Sequence, residues 1–392
     1  MAMNRAIVIG GGIGGLTAAL ALHRQGIPVA VHERATSLDP VGAGLALAPN
    51  ALRALDRLGI GGHLRALATP HPALGLRRPS GRWLARTDTA AVERYFGDPI
   101  AAVARAAVID ALVEALPAGT VRTGSAAALV SPGDGANPAV VSTPDGEVTA
   151  GLVVGADGIR SATRGLLFPQ HPGLRYSGFT TWRTIIDSPA RRPAAVGEVW
   201  GRGRLAGIVP LTDGRVYVYG AALAPAGSRA ASEHAELLQL YGSWCAPVPE
   251  LLRQADPAKV LRHDAWELAD PLPAYHHGRV ALLGDAAHAM CPFQGQGACQ
   301  AIEDALVLAA GIGAGSDPAA AVPAYTAARL PRTTRIVTGS RRIGALVALR
   351  SPAAVLLRDV ALTVGGLLPD RALLGRTAPT YNWQAPMLGG AA

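Results

Sequence analysis

An apolar run, Ala6 to Ile9, breaks into Gly10-x-Gly12-Ile13-Gly14-Gly15 and continues into a stretch rich in alanine and leucine. No other feature constrains the fold of this chain as much. Four apolar residues before a glycine turn read as a buried strand, and the segment after it reads as a helix. The spacing G-x-G-x-x-G between a strand and a helix is the fingerprint of a dinucleotide site. Gly10 permits a tight turn, Gly12 lets backbone approach a pyrophosphate, and Gly15 lets the helix lie close on the strand. The first helical turn then offers free N–H groups and a partial positive charge to phosphates. In a chain with 47 glycines the spacing alone is weak, so its meaning depends on the segments downstream.

Gly26 ends the helix and residues 27–32 read as a second strand, with Glu33 and Arg34 at its end. A carboxylate at that place accepts hydrogen bonds from a ribose hydroxyl pair and repels a 2′-phosphate, which suits the adenosine of FAD or NAD better than that of NADP. A helix over 51–58 closes at Gly59. Residues 70–100 hold short pieces rich in proline and arginine that read as strands of a second sheet. Residues 101–116 show a helical period with Arg105 near its start. A cation there opposes the helix dipole, which points to an anionic partner. Residues 120–130 and 138–149 read as strands, the latter turning on Asp145-Gly146. Another apolar strand at 152–155 runs into Asp157-Gly158 and a short helix over 160–167.

From 172 to 270 the pattern changes. Phe179 to Ile186, Ala195 to Trp200, Gly207 to Pro210 and Arg215 to Ala221 alternate as antiparallel strands do, and a helix over 232–244 follows. This insertion reads as a separate substrate lobe. The strand-then-glycine style returns at Gly284-Asp285, before the turn Pro292-Phe293-Gln294-Gly295-Gln296-Gly297. An amphipathic helix over 298–310 is expected next, with Ile302, Ala305, Leu306 and Ala309 as its apolar face. Residues 343–368 are apolar but interrupted by Arg350, Pro352, Arg358 and Asp359, so they read as a packed helical tail and not as a membrane span.

Composition limits the function classes. With 392 residues, 49% of them hydrophobic and 16% charged, the chain builds a large core and has room for two domains. The formal charge is +8, but the basic residues are scattered and Lys259 is the one lysine. No basic run marks a nucleic-acid partner. Cys245, Cys291 and Cys299 are odd in number and lack metal-ligand spacing, which indicates a reduced cytoplasmic protein without a metal. The apolar stretch 6–22 carries the fingerprint glycines and leads to a second strand, so it does not read as a targeting segment.

Three motifs now stand in order: Gly10-x-Gly12-x-x-Gly15, Asp157-Gly158 and Gly284-Asp285, followed by Pro292-x-x-Gly295-x-Gly297 and Glu303-Asp304. With this series the chain resembles the single-component FAD-dependent aromatic hydroxylases of the p-hydroxybenzoate hydroxylase fold. It is most similar to the shorter branch holding the salicylate, urate and 6-hydroxynicotinate hydroxylases and zeaxanthin epoxidase. The resemblance implies an α/β protein: a Rossmann-like FAD-binding domain, an inserted and mostly antiparallel substrate domain, and a C-terminal helical tail. The implied division is FAD-binding parts at 1–70, 101–171 and 276–330, substrate-domain strands at 71–100, a substrate domain at 172–275 and a helical segment at 331–392.

The resemblance also implies roles. Residues Gly10, Gly12, Ile13, Gly14 and Gly15 with Glu33 and Arg34 would hold the adenosine and pyrophosphate of tightly bound, non-covalent FAD. Arg105 would reach the pyrophosphate and ribityl region, and Ala127 would touch the adenine through its backbone. Asp157 and Gly158 would lie beside both FAD and the passing NADPH or NADH. Gly284 and Asp285 would meet the ribityl chain, and Pro292, Gly295, Gln296 and Gly297 would cover the flavin pyrimidine edge. The implied reaction is hydroxylation or epoxidation of an aromatic or polycyclic small molecule, with O2 as co-substrate, through a flavin C4a-hydroperoxide, by a monomer or homodimer. In the salicylate hydroxylases a histidine follows the proline of this turn; here Phe293 stands there, so substrate activation must come from elsewhere, or the substrate needs none. Arg183 and Tyr217, on expected strands of the substrate lobe, are the candidate catalytic residues: Arg183 for an anionic or carbonyl group, Tyr217 to orient or deprotonate the substrate. His288 reads as part of the Gly-Asp turn. The competing reading is a reductase or oxidase on the same scaffold without oxygen insertion. A halogenase is disfavoured, because Lys259 lies far from the flavin motifs and no Trp-x-Trp-x-Ile occurs. The 172–270 insertion argues against a non-enzymatic nucleotide sensor.

Overall fold

The computed structural model describes residues 5–38, 44–68, 73–190, 196–312 and 317–389. The chain opens with β1 (Ala6–Ile9), α1 (Ile13–Arg24) and β2 (Val29–His32), then β3 (Gly44–Leu47), α2 (Pro49–Arg57) and α3 (Gly61–Ala66). A hairpin of β4 (Ala73–Arg77) and β5 (Trp83–Asp88) leads through α4 (Thr89–Phe96) to β6 (Ala101–Ala104) and α5 (Arg105–Glu114). Next come β7 (Val121–Arg122), the meander β8 (Ala128–Ser131), β9 (Ala139–Thr143) and β10 (Gly146–Ala150), then β11 (Leu152–Gly155) and α6 (Ala162–Leu167). The long β12 (Leu174–Ile186) precedes β13 (Val196–Trp200), β14 (Arg204–Pro210), β15 (Val216–Leu223), α7 (Glu233–Tyr241), α8 (Val248–Gln254) and β16 (Leu261–Leu268). The chain closes with β17 (His276–His277), β18 (Val280–Leu282), α9 (Asp285–His288), α10 (Gly297–Ala310), α11 (Val322–Val347), α12 (Pro352–Gly366), α13 (Asp370–Gly375) and α14 (Ala378–Tyr381).

Two of the sheets among the described residues position the site. The first has the order β17-β18-β11-β1-β2-β7, and β18, β11, β1, β2 and β7 run parallel. Its central strands are apolar throughout and buried on both faces, as parallel strands covered by helices must be. Leu16, Leu20 and Leu22 of α1 are completely buried, and each such side chain contributes about 1.5–3 kcal/mol. Gly14 sets how closely α1 meets its neighbours: a Cβ there would stand 2.7 Å from Leu283 Cδ1 and 3.0 Å from Ala301 Cβ. The second sheet has the order β16-β12-β15-β14-β13-β4-β5, antiparallel except where β13 meets β4. Its outer face packs Trp182, Ile208 and Val218 against Leu237, Tyr241 and Leu251 of α7 and α8. Its inner face packs Phe179, Trp200 and Leu205 against Phe293 and Val347.

Two expectations are corrected. Residues 101–104 form a strand and not the first turn of a helix, because they pair with β3 from Gly44↔Ala104 to Leu47↔Ala101. The helix starts at Arg105 itself. Helix α10 is not amphipathic: Gln300, Glu303 and Asp304 are as buried as Ile302 and Leu306, because a buried ion network receives them. The expected helical tail is packed, with Val347, Ile343 and Leu362 in the cluster of the second sheet's inner face, but α12 leaves most of its apolar residues exposed. In α12 the buried pair is Arg358 and Asp359, while Leu356, Leu357, Val360, Val364 and Leu367 are exposed. Arg358 donates to the carbonyls of Gly201 and Leu346 and pairs with Asp359, so polar bonds decide the rotation of this helix. The expected strand start at Ala195 and the boundary expected between 70 and 71 lie outside the described residues. No helix among the described residues is long and apolar enough to cross a membrane.

Candidate active site

Four neighbouring parallel strands end on one edge of the first sheet. In the order β18, β11, β1, β2 their carboxyl ends carry Gly284-Asp285, Asp157-Gly158, the Gly10–Gly15 turn and Glu33. Ligands of open α/β sheets bind at this edge. The topology therefore gathers motifs that lie up to about 275 residues apart in the chain.

The glycine turn has the geometry its spacing demands. Gly10 has φ of 110°, and a Cβ on it would overlap the Ala156 carbonyl oxygen at 2.3 Å. A Cβ on Gly15 would lie 2.0 Å from the Gly10 carbonyl oxygen, so the helix crosses its own strand at contact distance. A Cβ on Gly12 would meet no atom within 4 Å. Gly12 is also the N-cap of α1 and provides no side-chain cap, which leaves the orphan N–H groups of that terminus for a ligand. Glu33 is clamped in place: Gly11 N–H donates to Oε2 at 2.7 Å and Ala35 N–H to Oε1 at 2.8 Å. Ile13 is buried in the core, Arg34 is exposed, and Ala127 is half-buried against the core.

The other two strand ends are stitched together. The Asp157 carboxylate accepts from Ser161 Oγ at 2.5 Å and from Thr163 N and Oγ1 at 3.0 and 2.9 Å. Its side chain thus serves its own turn, and what the turn offers a ligand is the backbone around Gly158, which has φ of 79° and an open side. Arg164 donates to the carbonyls of Ile159, at 2.7 Å, and Ala286, at 3.1 Å. It ties the Asp157 turn to the Gly284 turn. Burial lowers the Arg164 pKa, against the fields of Asp157 and Asp285.

Asp285, Arg105 and Arg183 are different. Among the described residues none of the three side chains forms a hydrogen bond or ion pair with protein, although each feels the others' charge. Asp285 is exposed at its surface, yet protein crowds its carboxyl. That desolvation raises its pKa in spite of His288, Arg105, Arg164 and Arg183. Arg105 opens α5, and its pKa is lowered by desolvation first, with Asp285 opposing and Arg183 adding to the shift. Arg183 comes from β12 of the second sheet, so that sheet delivers a cation to the edge where Asp285 and Arg105 stand.

The Pro292–Gly297 turn faces both sheets. Pro292 and Gly295 are exposed, and Gly295 has φ of 61°. Gly297 begins α10, whose N-terminus has no side-chain cap. The Gln296 side chain is buried and accepts from Asn50 Nδ2 at 3.1 Å and Gln300 Nε2 at 3.0 Å, so a contact from this residue to a cofactor falls to its backbone. Phe293 stacks edge-on against Phe179, with centroids 4.9 Å apart. Tyr217 of β15 packs on Leu211 and Ile185, and a Cβ on Gly44 would strike its ring at 2.5 Å. Burial raises its pKa, with Arg183 opposing. Its hydroxyl has no hydrogen-bond partner among the described residues.

Behind these groups lies a network that sequence reasoning missed. Arg329 of α11, itself buried, bonds Asp304 through Nε at 2.7 Å and also Glu303 and Gln300 Oε1. Asp304 accepts from Gly284 N–H at 2.9 Å and sits 2.6 Å from His288 Nε2. Burial would raise the Asp304 pKa, but His288, Arg329 and the Gly284 N–H outweigh it and hold it down at about 2. Asn50 and Arg332 complete the shell of Glu303. The one clue in the sequence was two adjacent acids in an otherwise apolar helix, which demand buried partners without naming them.

Uncapped helix termini at Gly12 and Gly297, an open backbone cradle and unpaired Asp285 and Arg105 fit a flavin dinucleotide laid along this edge. These features define a dinucleotide-binding flavoprotein whose second sheet brings Arg183 into the field of Asp285 and Arg105. The profile of the FAD binding domain family matches residues 3–340, and the chain belongs to this family, among the FAD-dependent aromatic hydroxylases. It is 37% identical over 407 residues to a 3-amino-4-hydroxybenzoate 2-monooxygenase of Streptomyces platensis, covering 98% of this chain and 97% of that one. It is 36% identical over 341 residues to an aurachin C monooxygenase/isomerase of Stigmatella aurantiaca, covering 86% and 88%. Its fold superposes on that of Klebsiella pneumoniae HpxO, crystallised with FAD and uric acid, with a TM-score of 0.87 and 27% identity over 98% of this chain and 97% of the other. The protein is an FAD-dependent monooxygenase, and NAD(P)H and O2 are the co-substrates typical of its family.

Proposed function

We propose that this monooxygenase oxygenates a small aromatic or polycyclic molecule that carries an anionic or carbonyl oxygen, bound between the inner face of the second sheet and the Pro292–Gly297 turn. The observation that carries this reading is Arg183: a half-buried guanidinium on β12, without a protein partner among the described residues, in the field of Asp285. A cation so placed suits a substrate anion, and a charge-assisted bond there both binds and orients. Tyr217 presents a neutral phenol, since burial raises its pKa. It would therefore orient the substrate and not deprotonate it. Phe179 and Phe293 supply an apolar wall that excludes water. The aminohydroxybenzoate named for the Streptomyces relative has the kind of anionic group this reading requires.

FAD, when bound, takes reducing equivalents from NAD(P)H and activates O2 for transfer of one oxygen atom. Toward it, Glu33 would accept hydrogen bonds from adenosine hydroxyls, the α1 terminus at Gly12 would face the pyrophosphate, and Arg105 would neutralise phosphate charge. Asp285 would accept from a ribityl hydroxyl. The N-terminus of α10 at Gly297 would stabilise negative charge on the reduced ring. Asp157-Gly158 would border both nucleotides, and Ala127 the adenine. We place the enzyme in the cytoplasm, as a monomer or homodimer; the free thiols of Cys245, Cys291 and Cys299 support a reducing compartment. The test is NADH and NADPH consumption by the FAD-loaded protein over a panel of aromatic acids and ketones under ¹⁸O2. One labelled oxygen in the product supports the reading; turnover without label identifies a reductase or oxidase instead.

A further inference from the structure

Helix α12 is built inside out. Its two charged residues, Arg358 and Asp359, are buried, and most of its apolar residues face outward. Asp359 accepts from Arg358 and pairs with Arg78 Nε at 2.9 Å, while Arg358 donates to the carbonyls of Gly201 and Leu346. The Arg358 guanidinium also lies 5.7 Å from the centroid of the Trp200 ring. These contacts fix the roll of the helix about its axis. Leu356, Leu357, Val360 and Val364 then share one outward arc, and Leu367 and Leu368 extend it on the closing turn. The six are 41% to 80% exposed, and no polar residue falls among them on the arc. An isolated exposed leucine is ordinary, but a contiguous apolar patch marks a contact surface.

The charge around this face is of one sign. From residue 342 to 389 the exposed charged residues are Arg342, Arg350, Arg371 and Arg376, against Asp370 alone. Arg350 stands just ahead of α12, and Arg371 and Arg376 follow it. A Cβ on Gly365 would lie 3.9 Å from Arg376 Nη1, so this guanidinium sits beside the end of the helix. Among the described residues Arg350, Arg371 and Arg376 form no hydrogen bond or ion pair with protein. A second copy of the chain suits such a face poorly. A two-fold contact presents the same patch to itself, so arginines at either end of α12 would meet arginines. The flanks of the arc hold Ala354, Ala361, Thr363 and Gly365, with none of the charged pairs that set register between helices. An anionic lipid surface answers both features, because acyl chains receive the leucines and headgroup phosphates receive the arginines.

We propose that α12 and the turn after it form a docking face for an anionic lipid surface. The helix lies in the plane of the interface, with Leu357, Val364 and Leu367 among the acyl chains and Arg350, Arg371 and Arg376 at the headgroup phosphates. Its polar side, Arg358 and Asp359, is turned to the body of the protein where an isolated amphipathic helix would turn it to water. With 15 residues, α12 is shorter than the about 20 that a span requires, so the contact is peripheral. The inference is independent of the aromatic-acid reading of the substrate.

The experiment mixes the FAD-loaded protein with vesicles of phosphatidylcholine, or of phosphatidylcholine with phosphatidylglycerol, and measures the bound fraction by flotation at low and high salt. The wild type is expected to bind the anionic vesicles about tenfold more tightly than the neutral ones, with salt reducing the difference. The double variant Leu357→Gln/Leu367→Gln is expected to bind both kinds about tenfold more weakly. Arg371→Gln/Arg376→Gln is expected to lose most of the preference for anionic vesicles. Flavin content and NAD(P)H oxidation without vesicles should match the wild type in both variants, since none of the four residues lies at the cofactor edge. A wild type that floats with neither kind of vesicle overturns the inference. So does binding that the leucine variant leaves unchanged, or an anionic preference that the arginine variant leaves unchanged. Sedimentation that shows a dimer split into monomers by Leu357→Gln/Leu367→Gln also overturns it, because a second copy then covers the face.

Discussion

The protein holds two clusters of buried or enclosed charge that come nearest in the chain at Asp285 and His288, and they have been built to opposite specifications. In the first, Arg329, Glu303, Asp304, His288 and Gln300 satisfy one another and lock α10, α11 and the Gly284 turn together. In the second, Asp285, Arg105 and Arg183 stand within one another's fields with no protein bond among the described residues. Asp304 is held ionised, its pKa down at about 2, whereas Asp285 has its pKa raised. Chemically similar carboxylates, Asp304 within α10 and Asp285 at the start of α9, thus differ in whether the fold supplies their partners. A closed cluster is architecture. An open one beside a dinucleotide cradle awaits a ligand.

Removing one member of each cluster should separate them. The largest effect on stability is expected for Arg329→Met, which leaves Glu303 and Asp304 buried without a counter-ion: about 3–5 kcal/mol in urea unfolding, with flavin lost as a consequence. A loss under 1 kcal/mol would mean that the network is not the lock described here. Arg183→Gln should leave the unfolding midpoint near that of the wild type but lower kcat/KM for an anionic substrate about 10- to 100-fold, mostly through KM. If the unfolding midpoint falls instead, Arg183 belongs to the architecture. Asp285→Ala should weaken FAD binding about tenfold while the apo-protein remains folded, and isothermal titration with FAD would detect it. Wild-type FAD affinity in that variant would remove Asp285 from the ribityl site.

The smallest effects are those of pH, and they carry opposite signs. Asp304 has a depressed pKa in the fold, so its stabilisation is present above the unfolded value of about 3.9 and is lost as pH falls toward about 2. Asp285 has a raised pKa in the fold, so the apo-protein is penalised above about 3.9, increasingly as pH rises through the folded value. Unfolding of the apo-protein between pH 3 and 7 should accordingly show a shallower rise in stability than Asp304 alone would give. Asp285→Asn should steepen that rise; an unchanged profile would contradict the raised pKa.

The cofactor edge was far more legible in the sequence than the substrate face. Gly10, Gly12 and Gly15 announce a turn through steric requirements that hold within a few residues, and the structure meets each of them. Glu33, Arg105 and Asp285 could be singled out because each follows an apolar strand or opens a helix. Arg329 could not, because nothing in Ala328-Arg329-Leu330 distinguishes it from the other arginines. The hydrogen bond from Tyr219 to Glu198 escaped notice for a related reason. They lie 21 residues apart, and the cross-strand register that joins them is set by three strands, β13, β14 and β15, at once. The exposure of Leu356 and Leu357 was equally hidden, since Arg358 finds its carbonyls on the distant residues Gly201 and Leu346.

The amino-acid sequence by itself determined the βαβ opening, the glycine turns and the antiparallel character of the insertion. These depend on backbone sterics and periodicity, which act over one or two turns of chain. Tertiary structure decided which charges are answered and which are left open. Partnership between side chains depends on distance in space, and that distance is set by sheet order and helix packing across hundreds of residues. The contrast between Asp304, enclosed by Arg329 and His288, and Asp285, left exposed, therefore exists only in the folded molecule.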